Sequence, residues 1–298
     1  MALGNVDLHN EVAVVTGGGR GIGRAIALRL ANAGAKIAVV ARSENELAET
    51  VHLIQQVGGH AQAFTGDITD AAAMSSAFSE IEHTLGTVSI LVNNAGVIGP
   101  FAPFWETSVD EWWRVLDVNL RGAALCSHLV LPGMIARKRG RIINVSSGGA
   151  ALSLTYFSGY IVSKAALARF SEVLATEAKP HGVSVFALAP GTVRTAMAEH
   201  SLTSPEAKKW IPWFSRIFDE GLTVPAERVA EFAAQLSSGM ADALSGRFLS
   251  VTDDLDLLLN TVAKIDEENL YSLRVRKLSS AVPATNLDAI RKGAEQAR

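Results

Sequence analysis

The sequence predicts an α/β fold, a doubly wound parallel β-sheet flanked by helices, in one domain with a carboxyl-terminal extension. Three observations carry this. Short, β-branched or apolar runs alternate with longer Ala- and Leu-rich runs through most of the 298 residues, the signature of successive βαβ units. The strand runs are dominated by apolar residues, as strands buried on both faces of a parallel sheet are. A glycine-rich loop joins the first strand run to the first helix run, the context a phosphate-binding turn requires.

The length is enough to bury a full core. The chain divides into a body, residues 1–252, and an arm, residues 253–298. Hydrophobic residues make up 48% and the formal net charge is -3, so the bulk basic signature of a nucleic-acid binder is absent. A single cysteine, Cys126, excludes an intrachain disulfide and reads as a small buried side chain. Met1 to Asn10 lacks a cationic start followed by a long apolar core. No uninterrupted apolar run approaches a membrane span. A cytoplasmic enzyme is the expected class; peripheral membrane attachment stays open.

The first strand is expected at Glu11 to Val15. Thr16 to Gly23 (TGGGRGIG) follows, then a helical run from Arg24 to Ala33. Gly17, Gly21 and Gly23 let the backbone approach a pyrophosphate, and the helix start offers free N–H groups and a positive dipole end. The second strand, Lys36 to Ala41, ends where dinucleotide folds place a ribose-binding carboxylate. Here that position is Ala41, and Arg42 follows. A guanidinium chelates a 2′-phosphate that a carboxylate would repel. Arg20, inside the glycine loop, reaches toward the same phosphate, so the pair favours NADP(H) over NAD(H). Ser43 and Glu46 read as a capping box for the next helix.

Ala61 to Thr65 is the third strand, ending at Asp67, which meets an adenine or serves as a turn residue. A helix is expected over Asp70 to Leu85. The fourth strand, Val88 to Val92, leads into Asn93-Asn94-Ala95-Gly96, small enough for close approach to a cofactor or simply a polar turn. A long helix, Glu111 to Leu131, holds Asn119, an unfavourable helix residue and hence a flag for function or for a hydrogen-bonded core. Arg141 to Ser147 reads as a buried strand with Ser147 at its carboxyl end, where active groups of open α/β sheets sit. Ser163 to Glu177 reads as a helix. Tyr160 and Lys164 are four residues apart, so on a helix the phenol and ammonium share a face. The ammonium favours phenolate and draws the tyrosine pKa down toward working pH. Val183 to Ala189 is a further strand, ending in Pro190 to Thr195 (PGTVRT), and the last strand is expected at Arg247 to Val251.

Taken together, TGGGRGIG, Asp67, Asn93 to Gly96, Asn119, Ser147, Tyr160 with Lys164, and PGTVRT resemble the short-chain dehydrogenase/reductase family in its compact, single-domain form, over about Glu11 to Val251. The resemblance implies a Rossmann-like fold and assigns roles. Tyr160 is the acid or base on the substrate oxygen. Lys164 holds the nicotinamide ribose and lowers the Tyr160 pKa. Ser147 hydrogen-bonds the carbonyl or alkoxide, and Asn119 supports a water in a proton relay. Cofactor contacts are implied at Gly17, Gly19, Arg20, Gly21, Ile22, Gly23, Arg42, Asp67, Ile68, Asn94, Ala95, Gly96, Pro190, Gly191, Val193 and Thr195, besides Tyr160 and Lys164. Arg20 and Arg42 match positions that mark NADP(H) use. No metal is called for. A homodimer or homotetramer is implied.

Three regions lie beyond the family pattern. Ala196 to Val224 carries Met197, Trp210, Ile211, Trp213, Phe214, Ile217 and Phe218, a lid with an apolar face or a packing surface; His200 lies within it. Leu154, Tyr156 and Phe157 form one wall of the expected pocket. Phe101 to Trp105 and Trp112-Trp113 form a second wall or core. The arm is expected as a helix over Asp253 to Ala263, a helix or turn over Asp266 to Leu270, an extended piece over Tyr271 to Leu278 and a tail with a helix over Asp288 to Gln296.

The function expected is an NADP(H)-dependent carbonyl reductase or secondary alcohol dehydrogenase acting on a small, hydrophobic ketone, with Tyr160 as proton donor. Two alternatives stay open: a pathway-specific oxidoreductase with a 3-oxoacyl, steroid, polyol or secondary-metabolite substrate, and a catalytically silent cofactor-binding regulator on the same fold.

Overall fold

Seven parallel strands form one sheet in the order β3-β2-β1-β4-β5-β6-β7. The computed structural model describes residues 6–275. The strands are β1 (Val12–Thr16), β2 (Lys36–Ala41), β3 (His60–Thr65), β4 (Ile90–Asn93), β5 (Gly140–Val145), β6 (Val183–Ala189) and β7 (Phe248–Ser250). The strand order reverses between β1 and β4. Ligands of such sheets bind in the crevice beyond the carboxyl ends of the strands at this reversal.

Alternate residues of each strand feed opposite layers, because strand side chains alternate in direction. Ala13, Val15, Ile143 and Val145 pack with α1 (Gly21–Asn32) and α10 (Ala226–Ser238). Val12, Val14 and Ile142 pack with α3 (Ala71–Thr84), α5 (Gly122–Ala136) and α6 (Ser158–Ala178). α2 (Glu44–Gln56) adds Leu47 and Ile54 to the first layer. Cys126 is fully buried in the second, which pushes its thiol up to about 12.

The long helix expected from Glu111 starts earlier and is interrupted. Ser108 caps α4 (Val109–Leu116) by accepting from the Glu111 amide at 3.4 Å. Asp117–Arg121 then forms a π turn before α5. Such single wide turns inside α-helices concentrate at functional sites, and this one holds Asn119. By length and composition alone the 28-residue run Val109–Ala136 passes for a membrane span, as core helices of globular folds also do, but Asp110, Glu111, Arg114, Asp117 and Arg121 interrupt it, so it is not an uninterrupted apolar run. Here it covers the sheet through Val115, Cys126, Val130 and Met134.

α6 begins five residues before the apolar run that predicts it, so Tyr160 joins the same helix as Lys164. Trp112 explains the early start: a Cβ on Gly159 would sit 3.1 Å from its ring, and its indole Nε1 donates to Ser158 Oγ at 3.0 Å. A buried polar relay then pins α6 to the sheet. The β4–β5 register sets Asn93 beside Asn144. Asn93 Nδ2 donates to Asn144 Oδ1 (2.8 Å) and Ser127 Oγ (3.1 Å), and Asn144 Nδ2 donates to Ser171 Oγ (2.8 Å).

After β7 the chain forms two short helices, α11 (Leu255–Asn260) and α12 (Val262–Glu267), where one is expected. The break falls at Thr261 (φ -121°, ψ 17°). Leu255, Leu258 and Ile265 enter the α1/α10 layer. The Phe248 amide donates to the Tyr271 carbonyl (2.8 Å), and Arg247 pairs with Asp266. Residues 271–275 form no strand. Arg274 pairs with Glu172 of α6. The expected helix over Asp288 to Gln296 lies outside the described residues.

Replacing Asn144 by Ala removes the centre of the relay and its two buried hydrogen bonds, leaving Asn93 Nδ2 with only Ser127 and the Ala123 carbonyl and Ser171 with only the Leu167 carbonyl. The expected loss is about 1–3 kcal/mol of unfolding free energy, read as a lowered urea midpoint.

Candidate active site

At the reversal point, the glycine loop and the end of β4 are built as one surface. Thr16 Oγ1 accepts from the amides of Asn94 and Ala95, both at 3.1 Å, and Asn94 Nδ2 donates to the carbonyls of Thr16 (3.0 Å) and Gly17 (3.2 Å). Gly17 has φ +63°, and a Cβ there would meet Ala95 Cα at 2.9 Å. A Cβ on Gly23 would lie 2.2 Å from the Gly17 carbonyl. A side chain at either position would push the glycine loop away from α1 or the end of β4 and deform the cradle between them. The first turn of α1 has no side-chain cap and no acidic residue, so its amides and dipole face outward with nothing to satisfy them. A pyrophosphate fits that donor set.

Thr195 completes this surface. It caps α7 (Ala196–Thr203) by accepting from the Ala198 amide at 3.3 Å, and its methyl lies 3.1 Å from the position of a Cβ on Gly21. Gly191 is crowded by Val224, and Val193 is buried. Ile68 is buried too, in the layer beneath α5. Its side chain is therefore core, and only its main chain is free to meet a cofactor.

Arg20 and Arg42 are both exposed, 64% and 63% at their side chains, and both already hold a carboxylate. Arg20 lies 3.1 Å from Glu46, and Arg42 lies 3.8 Å from Asp67. Ser43 Oγ accepts from the Glu46 amide at 3.4 Å, but the Glu46 carboxylate turns to Arg20 instead of closing the capping box. Asp67 Oδ1 accepts from the Thr69 amide (2.9 Å) and hydroxyl (2.8 Å). Chiefly that amide, with Arg42 adding to it, holds the carboxyl below its usual range.

The four residues expected at the reaction centre converge. Ser147 follows β5; its Oγ accepts from the Gly149 amide (3.2 Å), and its hydroxyl lies near enough to the Tyr160 phenol to favour the phenolate. Lys164 is buried, with Nζ donating to the Val145 carbonyl at 2.8 Å and lying 5.7 Å from the Tyr160 ring centre. Asn119 is 1% exposed. Its Oδ1 accepts from the Val97 amide (2.8 Å), while Nδ2 donates to the Val97 carbonyl (3.0 Å) and Ser163 Oγ (2.9 Å). The Asn119 amide is thus spent on tying the loop after β4 to α6. Gly96 fits between: a Cβ there would meet Asn119 Oδ1 at 3.2 Å and Lys164 Nζ at 3.6 Å.

The pKa expectation for Tyr160 is corrected. Burial pushes the phenol up, and the Ser147 hydroxyl only partly offsets this. Desolvation disfavours the charged phenolate, and Lys164 does not count among the causes of the shift. The same burial lowers Lys164 to about 8.

The Ala196 to Val224 region, expected as a lid or a packing surface, packs onto this centre. α8 (Pro205–Trp210) contributes Ala207, and Ile211 follows it; both join Phe101 and Phe157 in a buried cluster, against which the partly buried Leu154, Ile98 and Tyr160 pack. The Phe157 ring lies 6.1 Å from Tyr160 and 6.5 Å from Trp213. Tyr156 faces Trp210 at 5.0 Å. Met197 is half-buried on α7. Phe104, Trp105 and Trp113 are exposed and form no pocket wall, whereas Phe101 is buried. A cavity of about 430 Å³ lies alongside, lined by Val97, Ile98, Phe101, Arg114, His200 and Glu206 among others; Tyr160 and Ser147 are not part of its wall.

Three supporting residues escape a reading of the sequence. Thr50 Oγ1 donates to the carbonyls of Gly18 (3.0 Å) and Gly19 (3.2 Å). Arg24 Nε donates to the Gly19 carbonyl (3.0 Å). Ser163 donates to the Tyr160 carbonyl (2.7 Å). Arg24 had one signal: a cation in the first turn of a helix opposes the dipole and needs an outside partner. Thr50 and Ser163 had none, since their partners lie on other elements or in the helix backbone.

The family model described as short chain dehydrogenase matches residues 11–206. A short chain dehydrogenase of Pseudocercospora fijiensis is 34% identical over 280 residues, 90% of this chain and 90% of its own length. The 3beta-hydroxysteroid dehydrogenase 1 of Eggerthella lenta is 34% identical over 253 residues, 84% of this chain and 95% of its own. Among solved structures, a gluconate 5-dehydrogenase from Burkholderia cenocepacia in complex with NADP and tartrate superposes with a TM-score of 0.74 at 28% identity, covering 83% of this chain and 95% of that one.

The geometry makes one direct prediction about charge. Lys164 is expected to carry its proton below about pH 8 and lose it above, two units or more before an exposed lysine does. A side-chain NMR titration of labelled lysines should show one early midpoint, absent from Lys164→Met.

Proposed function

We propose that this chain, which belongs to the short-chain dehydrogenase family of oxidoreductases acting on CH–OH and C=O groups, is an NADP(H)-dependent carbonyl reductase or secondary alcohol dehydrogenase for a hydrophobic ketone. The observation that carries the reading is the convergence of Ser147, Tyr160 and Lys164 at the end of β5, beside an uncapped helix start and a cradle that a Cβ would deform. A pure binding protein has no use for that convergence. The chain's place in a cytoplasmic homodimer or homotetramer is carried by the resemblance alone.

The residues present fit a nicotinamide dinucleotide. The glycine loop and the start of α1 would hold its pyrophosphate, Lys164 its nicotinamide ribose, and Thr195 with Asn94 to Gly96 the nicotinamide end. When bound, the cofactor supplies or accepts the hydride. The chain supplies the rest. In reduction, Tyr160 gives its phenolic proton to the substrate oxygen while Ser147 donates a hydrogen bond to the same atom. Two preplaced donors stabilise the charge that develops there. Burial raises the Tyr160 pKa, which favours the phenol as a proton donor and suits ketone reduction. Asn119 acts by fixing Val97 and Ser163, and so the walls on either side of Lys164.

The preference for NADP(H) rests on Arg20 and Arg42 together with Ala41, which leaves no carboxylate at the end of β2. The pairs they make with Glu46 and Asp67 are exposed and worth little, so a 2′-phosphate displaces them readily. Two of the similar solved structures were crystallised with NADP. A hydrophobic substrate is supported by the wall of Phe157, Trp213 and Leu154 around Tyr160.

Initial rates with NADPH and NADH over aliphatic, aryl and bicyclic ketones test the reading. Tyr160→Phe is expected to lower kcat by about 10²–10⁴-fold; turnover that survives would move the proton donor elsewhere. Arg42→Asp with Arg20→Ser is expected to shift preference toward NADH by at least tenfold in kcat/KM. Unchanged preference for NADPH would remove both arginines from cofactor selection.

A further inference from the structure

Tyr156 is held in a backbone conformation that a large side chain avoids. Its φ is +72°, in the left-handed region where the Cβ crowds the backbone and glycine is the usual occupant. Among the described residues only four other non-glycine positions have positive φ: Asn10, Lys138, Asn269 and Tyr271. None of these adjoins the reaction centre. A strained residue four positions before Tyr160 calls for an account of what its ring does.

The conformation aims two groups at two different walls. The Tyr156 carbonyl accepts from the Ala102 amide at 2.9 Å, which ties the loop after β4 to the loop before α6. The ring lies 5.0 Å from Trp210, the last residue of α8, at 39°. The Lys209 ammonium also lies over that indole, 4.5 Å from its centre. The next residue, Phe157, turns inward to Phe101, Tyr160 and Trp213. Two consecutive rings thus divide the work, one facing the reaction centre and one facing the lid.

We propose that Tyr156 is a positioning residue: through its ring on Trp210 and its carbonyl on Ala102 it fixes α8 over the aromatic wall of Tyr160, and so sets the width of the cleft for a flat, apolar ketone. This rests on the carbonyl-reductase reading for the substrate it names, but the contact with the lid stands apart from any turnover. α8 has only two buried anchors of its own, Ala207 and the following Ile211. A helix of six residues is too short to hold its place without tertiary packing, so a third anchor at its far end matters. Among the described residues the Tyr156 hydroxyl has no hydrogen-bond partner, so the ring is the working part and phenylalanine should replace it.

The test uses the full chain. Tyr156→Gly removes the ring and the strain together, since glycine accepts this φ freely, so the variant is expected to fold. Amide hydrogen exchange of residues 206–211, measured without substrate, should quicken about tenfold in Tyr156→Gly and in Trp210→Ala. The double variant should be no more than twofold faster than the faster single variant, because both remove one contact. Tyr156→Phe should exchange like the parent. With NADPH and a bicyclic ketone, KM should rise about tenfold in Tyr156→Gly while kcat falls less than threefold, and Tyr156→Phe should restore KM. Unchanged exchange in Tyr156→Gly, or effects that multiply in the double variant, would overturn the proposal. So would a loss confined to kcat. Exchange needs no turnover, so failure of every ketone as a substrate would sink the reductase reading and leave this contact still measurable.

Discussion

The site depends on a buried charge. Lys164 is 4% exposed, with one close acceptor in the Val145 carbonyl. Burying an ammonium with so little compensation is costly, and the lowered pKa measures that cost. The surrounding structure has to keep the ammonium in place against this penalty. Ser146 Oγ donates to the Lys164 carbonyl at 2.9 Å, and Asn119 braces the preceding turn through Ser163. Asn93, Asn144 and Ser171 hold α6 to the sheet about two turns further on. Polar groups that would weaken an ordinary core are here all directed at one helix.

That helix also explains why its first turn is irregular. Tyr160 sits close to the amino end of α6, where Phe157 enters from a non-helical conformation and Gly159 lets Trp112 approach. An earlier or later start would rotate the phenol away from Ser147, since each residue turns the helix by about 100°. The π turn at Asp117–Arg121 acts similarly on the opposite helix: it brings Asn119 inward without breaking the run that covers the sheet.

The cofactor end and the substrate end are built by different physics. At the glycine loop, space and backbone donors decide, and Thr16, Asn94, Thr50 and Arg24 use carbonyls and hydroxyls to hold the loop open. Around Tyr160, aromatic packing decides, and the lid is secured by rings more than by hydrogen bonds. The first arrangement is rigid and tolerates few substitutions. The second can be remodelled ring by ring, which is how one fold serves many substrates.

The sequence by itself determined the strand order class, the glycine loop, the placement of Ser147 at a strand end and the pairing of Tyr160 with Lys164. These follow from local periodicity and spacing: β6 and β2 fall on the expected residues because their apolar runs are bounded by polar or small residues. Only the tertiary structure decided three things. The Tyr160 pKa moved up because of burial, which no spacing reveals and which the Ser147 hydroxyl only partly offsets. Glu46 left its capping box because Arg20, 26 residues earlier, came within reach. The lid's contact at Tyr156 depends on a left-handed backbone angle and on Trp210, 54 positions later, and neither leaves a mark on the local pattern. Local spacing fixes which groups can share an element, while burial and long-range partners fix what those groups do.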